Sequence, residues 1–286
     1  MKVRKAVITA AGWGTRFLPL TKSQPKEMLP LVDKPLIQYC VEEAIASGIE
    51  EIIMVTALGK RAIEDYFDRS FELESLLEKR GETALLKEIR GISDLGNICY
   101  VRQKEQMGLG HAILTARNIV GDEPFAVMLP DDIIDDEVPG LKQLVDVYDK
   151  FGTNVVAVER ISPEETIKYG VIEPEVVAPG IYNVRSLVEK PAPEKAPSDL
   201  GIAGRYILMP EIFEVLEATP PGKNGELQLT DALHLLLEQQ AMYARELDGV
   251  RYDAGTPFGW LKATLAFSLK RDDIGPELRE YIRHML

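Results

Sequence analysis

Short apolar runs alternate with longer stretches whose apolar residues recur every three or four positions, and this alternation organises the first half of the chain. Residues 5–10, 52–55, 97–101, 125–129 and 154–158 are largely apolar and too short for helices, as strands covered on both faces are. Between them, residues 35–47, 60–68, 71–80, 109–118 and 138–150 read as helices; Pro35 suits a first helical turn and Gly48 a stop. Such alternation predicts an α/β fold, a doubly wound parallel sheet over residues 1–160. From residue 161 the texture changes. Prolines and glycines separate short strand-like runs at 171–173, 181–189 and 203–208, which predicts a smaller antiparallel or mixed sheet laid over the first domain. Helices return at 210–217, 230–239, 257–270 and 276–284, with Thr230 as a candidate cap. Nothing resembles a free linker, so the boundary between residues 1–160 and 161–286 is soft and one continuous domain is the alternative.

One stretch fits neither period. Residues 11–34 hold Gly12, Gly14, Pro19, Pro25 and Pro30, too many breakers for a helix. A loop this long inside a folded domain is usually functional when ordered. It leaves the first strand at its carboxyl end, where open α/β sheets bind their ligands. Charge makes it more distinctive. The chain of 286 residues has a formal charge of −13, yet residues 1–40 carry seven basic side chains against Glu27 and Asp33, a local +5. The overall balance excludes general nucleic-acid binding, which needs a basic face, and leaves open which anion this segment meets. No run approaches 18 apolar residues, so no membrane span is expected, and the apolar run before Gly12 is too short for a secretion signal. Two cysteines, Cys40 and Cys99, cannot frame a disulfide scaffold; the expected setting is a reducing cytoplasm.

Gly12-Trp13-Gly14-Thr15-Arg16 offers exposed backbone N–H groups and a guanidinium fork, both suited to phosphate. It is not the dinucleotide fingerprint, because Phe17 stands where the third glycine would be. Neither Gly59-Lys60-Arg61 nor Gly222-Lys223-Asn224 has the Ser or Thr of a P-loop. Asp131 and Asp132 follow the strand at 125–129 at the same end of the sheet, where hard oxygen ligands would suit a divalent cation such as Mg²⁺.

The whole segment from Gly12 through Arg16 to Pro25-Lys26-Glu27-Met28-Leu29-Pro30 resembles the G-x-G-T-R…P-K-x-x-L-P signature of sugar nucleotidyltransferases. Its continuation, Leu31 to Tyr39, resembles the bacterial UTP–glucose-1-phosphate uridylyltransferase branch of that family. The resemblance implies transfer of a uridylyl group from UTP to glucose 1-phosphate, with Mg²⁺ as cofactor. It also implies a Rossmann-like nucleotide domain carrying a smaller sugar-binding sheet, with C-terminal helices that form a homodimer or homotetramer. In this reading Ala11, Gly12, Gly14 and Thr15 hold the nucleotide, Arg16 clamps the phosphates and Lys26 meets the α-phosphate. Gln103 and Gly108 face the base, while His111 is structural. Asp131 is the metal ligand, Asp132 its neighbour, and Asp253 a second metal carboxylate. Gly170, Glu189, Lys190 and Gly204 take the sugar phosphate. The alternatives are transfer from dTTP or CTP, and a non-catalytic homologue; the latter would be expected to lack some of Arg16, Lys26, Asp131 and Lys190, all of which are present.

Overall fold

Thirteen strands and eleven α-helices are defined in the computed structural model, which describes residues 1–222 and 225–285. Lys223 and Asn224, part of one excluded P-loop match, lie outside the described residues. The first half runs β1 (Lys5–Thr9), β2 (Pro30–Leu31), β3 (Lys34–Pro35), α1 (Leu36–Ala46), β4 (Glu51–Thr56), α2 (Arg61–Phe67), α3 (Phe71–Arg80), α4 (Thr83–Ser93), β5 (Asn97–Arg102), α5 (Leu109–Thr115), α6 (Arg117–Val120), β6 (Phe125–Met128), β7 (Asp132–Asp135), α7 (Gly140–Phe151) and β8 (Asn154–Arg160). The second half adds β9 (Gly170–Ala178), β10 (Ile181–Glu189), β11 (Leu200–Leu208), α8 (Ile212–Ala218), α9 (Leu229–Leu236), β12 (Met242–Glu246), β13 (Val250–Asp253), α10 (Pro257–Lys270) and α11 (Gly275–Met285).

Nine strands form one mixed sheet in the order β5-β4-β1-β6-β11-β8-β12-β10-β9. The β5-β4-β1-β6 half is parallel, as the alternation of strands and helices predicts. The second-half strands do not lie over this sheet as a separate layer; they extend it. β11 inserts antiparallel between β6 and β8, and β12, β10 and β9 complete the far side. The physical reason is burial: all nine residues of β11 are buried, so it needs neighbours on both edges and cover on both faces.

Successive residues of each central strand feed opposite cores. Val7, Ile53 and Val127 pack with α5, α8 and α9; Ile8, Met54 and Met128 pack with α1 and α7. α7 shows why such helices form where they do: Leu141, Leu144, Val147 and Tyr148 recur at helical spacing and are all buried on the sheet. The predicted helix at 230–239 is observed at 229–236, and Thr230 is not its cap. It lies buried in the first turn, where its side chain packs on Gly170. No helix among the described residues is long and apolar enough to cross a membrane.

Candidate active site

The long loop is held in place by its apolar residues. Phe17, Leu29 and Leu31 are buried in a small third core with Leu36, Ile133 and Ala263 of α10. Each buried leucine contributes about 1.5–3 kcal/mol, so two of them suffice to pin a segment that has little regular structure. Trp260 Nε1 of α10 donates to the Pro30 carbonyl (3.0 Å), and Thr21 Oγ1 donates to the Gly14 carbonyl (2.8 Å). Tight turns at Thr15–Phe17 and Lys26–Met28 then present Arg16 and Lys26 from the same rim.

Above the carboxyl ends of β1 and β6 lie two cavities, of about 500 and 600 Å³, that share Lys26, Leu109, Leu129, Asp131 and Glu226 in their walls. The smaller is lined by Ala11, Gly12, Gly14, Thr15, Gln103 and Gly108, the residues expected to hold a nucleotide. Gln103 is buried; its amide nitrogen donates to the Gly108 carbonyl (3.2 Å) and lies 2.9 Å from His111 Nδ1. His111 thus orients Gln103, in keeping with a structural role. Gln106, which motif reading did not single out, also lines this cavity and donates to the Ala11 carbonyl (3.1 Å), joining the two segments of its wall.

The larger cavity gathers Arg16, Lys26, Asp131, Asp253, Gly170, Glu189, Lys190 and Gly204. A two-stranded ribbon explains how Asp131 and Asp253 meet. β7 and β13 pair antiparallel with Asp253 opposite Asp132, and Ala254 N donates to the Asp131 carbonyl (2.8 Å). The two carboxylates converge on Gly255: a β-carbon there would lie 2.7 Å from Asp131 Oδ2 and 2.9 Å from Asp253 Oδ1. Only a glycine leaves that space free. Lys26 Nζ lies 2.5 Å from Asp131 Oδ2. Burial pushes the Asp131 carboxyl up, but the Lys26 ammonium outweighs it and leaves the carboxyl below its ordinary value; Lys26 is raised in turn, burial being outweighed by Asp131.

These carboxylates fit a divalent cation that completes its shell with phosphate and water. Two hard oxygen donors face one open space, while among the described residues no group of three or more His, Cys, Asp or Glu side chains forms a metal site on its own.

On another wall of the larger cavity, Lys190 Nζ meets Glu189 Oε1 at 2.7 Å. Lys190 adopts φ 46°, a left-handed conformation that a side chain rarely takes, so the turn after β10 holds it under strain at the cavity wall. Gly204, expected to meet a sugar, must be glycine for a reason the structure shows. Its N–H donates to Asp132 Oδ2 (2.9 Å), and a β-carbon there would lie 2.2 Å from that same oxygen.

Beneath the cavity lies a buried charge network that sequence reasoning missed. Arg205, wholly inaccessible, donates to both oxygens of Glu43 and to the carbonyls of Leu129, Asp132 and Gly204. Arg251 is held by Asp132 (Nε to Oδ1, 2.7 Å) and by Glu159. Asp132 is therefore bound to Arg251 and Gly204, which fixes the turn that carries Asp131. Farther along the loop, Glu27 is buried and paired with Lys60 (2.7 Å). Burial raises the Glu27 carboxyl even against the Lys60 charge. A signal for Arg205 exists in the sequence: it is the one charged residue in the apolar run Leu200–Leu208, and a buried cation requires a partner.

A mixed, doubly wound sheet with a basic loop, two carboxylates and paired cavities at its carboxyl edge defines a nucleotidyltransferase. The chain belongs to the nucleotidyl transferase family, whose sequence profile matches residues 5–268. Over its full length it is 53% identical to UTP–glucose-1-phosphate uridylyltransferase YngB of Bacillus subtilis strain 168, spanning 96% of that protein. It is also similar to solved structures. These include a UDP-glucose pyrophosphorylase complexed with UDP-glucose (48% identity, TM-score 0.86, 94% of this chain and 100% of that one). A UTP-bound UGPase from Acinetobacter baumannii matches at 39% identity with TM-score 0.92, over 99% of this chain and 100% of that one.

Proposed function

We propose that the protein transfers a uridylyl group from UTP to glucose 1-phosphate, releasing pyrophosphate and giving UDP-glucose. The observation that carries this reading is the pair of cavities meeting at Lys26 and Asp131. One has the dimensions and backbone-rich walls of a nucleotide site; the other brings cations and hydroxyl-binding groups together on the far side of the same two residues. Residues 1–160 then hold the nucleotide, and residues 161–286 supply the seat for the sugar phosphate.

The chemistry follows from charge. An oxygen of the sugar phosphate forms a bond to the α-phosphorus of UTP as the bond from that phosphorus to the β-phosphate bridging oxygen breaks, and the electron pair leaves with pyrophosphate. The nucleophile is already an anion, so no general base is needed. Catalysis reduces to positioning and charge stabilisation. Arg16 binds the departing phosphates, Lys26 the α-phosphate, and Lys190 the phosphate of the sugar, whose hydroxyls meet Glu189 and the backbone of Gly170 and Gly204. Gln103 and Gly108 read the uracil edge. A divalent cation, for which we propose Mg²⁺, would be held by Asp131 and Asp253 and would neutralise phosphate charge. Lys26 holds Asp131 through Oδ2; with a cation held on that carboxylate, Lys26 would be free to meet the substrate. Exposed Phe258, Leu261 and Leu265 on α10 support a dimer or tetramer.

Pyrophosphate release measured with UTP, dTTP or CTP, each with glucose 1-phosphate or galactose 1-phosphate and Mg²⁺, tests the reading. UTP with glucose 1-phosphate is expected to give the highest kcat/KM; a preference for dTTP would refute it.

A further inference from the structure

We propose that Tyr169 is a positioning residue for Asp253, fixing that carboxylate toward the cation and coupling it to the sugar-phosphate seat. This rests on the metal-binding reading of Asp253 above. The Tyr169 hydroxyl donates to Asp253 Oδ2 (3.0 Å), while Asp253 Oδ1 accepts from Gly255 N (3.0 Å) and is the oxygen that faces Asp131 across Gly255. Both oxygens are thus held, and the plane of the carboxylate cannot turn without breaking one of these bonds. Gly255 N–H alone leaves the carboxyl free to swing about its own Cβ–Cγ bond; the phenol removes that freedom.

Tyr169 is itself fixed from two directions. The Arg251 guanidinium lies over its ring, 5.0 Å from the centroid, and Arg251 is in turn clamped by Asp132 and Glu159. The Tyr169 carbonyl accepts from Lys190 N (3.1 Å), and Gly170 follows directly in the chain. One residue therefore touches the cation carboxylate through its side chain and the strained Lys190 turn through its backbone. A sugar phosphate that settles on Gly170 and Lys190 presses on the segment that orients Asp253. The geometry joins occupancy of the sugar seat to cation affinity without any moving domain. An ordinary structural tyrosine would need only its ring here; the hydroxyl has the specific task.

The test compares Tyr169→Phe with Asp253→Asn in the intact protein. Mn²⁺ affinity of each enzyme–UDP-glucose complex is read from the free-ion electron paramagnetic resonance signal, beside kcat and the KM for each substrate. A hydrogen bond to a charged group is being removed, so Tyr169→Phe is expected to weaken Mn²⁺ binding about ten-fold and to leave the KM for UTP essentially unchanged. Asp253→Asn should weaken it further. If Asp253→Asn loses Mn²⁺ affinity while Tyr169→Phe matches the wild type, the positioning role is overturned and the metal reading stands. An effect of Tyr169→Phe confined to the KM for glucose 1-phosphate overturns it equally, since that marks a direct sugar contact. Wild-type Mn²⁺ affinity in Asp253→Asn removes Asp253 from the cation site, and the proposal falls with it.

Discussion

The loop at residues 11–34 and the charge network beneath the larger cavity do their work in opposite ways. The loop brings Arg16 and Lys26 to the cavity wall from a single continuous segment and is anchored by apolar residues, Phe17, Leu29 and Leu31. The network joins Glu43, Arg205, Asp132, Arg251, Glu159, Tyr169 and Asp253 from far-apart segments, and its charges face one another. Cations at a cavity wall, Arg16 and Lys26, are within reach of substrate even where, as with Lys26 and Asp131, they hold a partner at rest. Paired ions in the interior are not, and they serve to fix the turns that carry Asp131 and Asp253. The protein thus separates binding charge from positioning charge.

Substitutions can break that division. The largest effect is expected at Arg205. Removing it leaves Glu43 without its partner and three carbonyls unsatisfied, so Arg205→Met should cost about 3–5 kcal/mol of stability, measured by urea denaturation. The UTP affinity of the remaining folded enzyme should fall less than turnover does in Lys26→Ala, because Arg205 reaches the cavity walls only through the carbonyls of Leu129, Asp132 and Gly204. Lys26→Ala should do the reverse. Turnover falls about 100- to 1,000-fold, the range for losing one transition-state donor, with a smaller loss of stability than in Arg205→Met, because the Asp131 carboxylate left behind lies at a cavity wall. Equal loss of fold and turnover in both variants would erase the distinction.

The smallest effect concerns pH. The Asp131 carboxyl lies below its ordinary value, so its pairing stabilises the fold above the usual carboxylate range and is lost as the pH falls through the lowered value. Lys26 lies above its ordinary value; its contribution is complete below that value and is lost only as the pH rises past the raised one. In Lys26→Met the ammonium no longer opposes burial and the Asp131 carboxyl rises, so the stability difference from the wild type is expected to be largest above that raised value and to shrink as the pH falls through it toward the lowered value of the wild type. A difference that does not shrink on acidification would show that the pair is not the source.

The same contrast explains what the sequence made legible. The loop could be read because its residues are adjacent and its composition unusual, and the parallel half of the sheet because each strand is an apolar run. β7 and β13 escaped because Asp-Ile-Ile-Asp and Val-Arg-Tyr-Asp are short and end in charge, with no alternation to mark them. Yet that ribbon sets Asp253 opposite Asp132, across more than a hundred residues of chain. β11 was visible as a strand, but its insertion between β6 and β8 depends on pairing partners that no local pattern records. Gly204 was read for its closeness to a sugar, whereas the structure adds a closer constraint, Asp132 Oδ2. Long-range pairing of ions leaves no periodicity.

The most direct measurement is an anomalous difference map from crystals of the protein grown with UDP-glucose and Mn²⁺. A peak about 2.0–2.2 Å from a carboxylate oxygen of Asp131, with Lys26 Nζ moved from Asp131 onto a phosphate oxygen, is the expected result. A peak elsewhere, with Lys26 still paired to Asp131 and the nucleotide bound, would contradict the account.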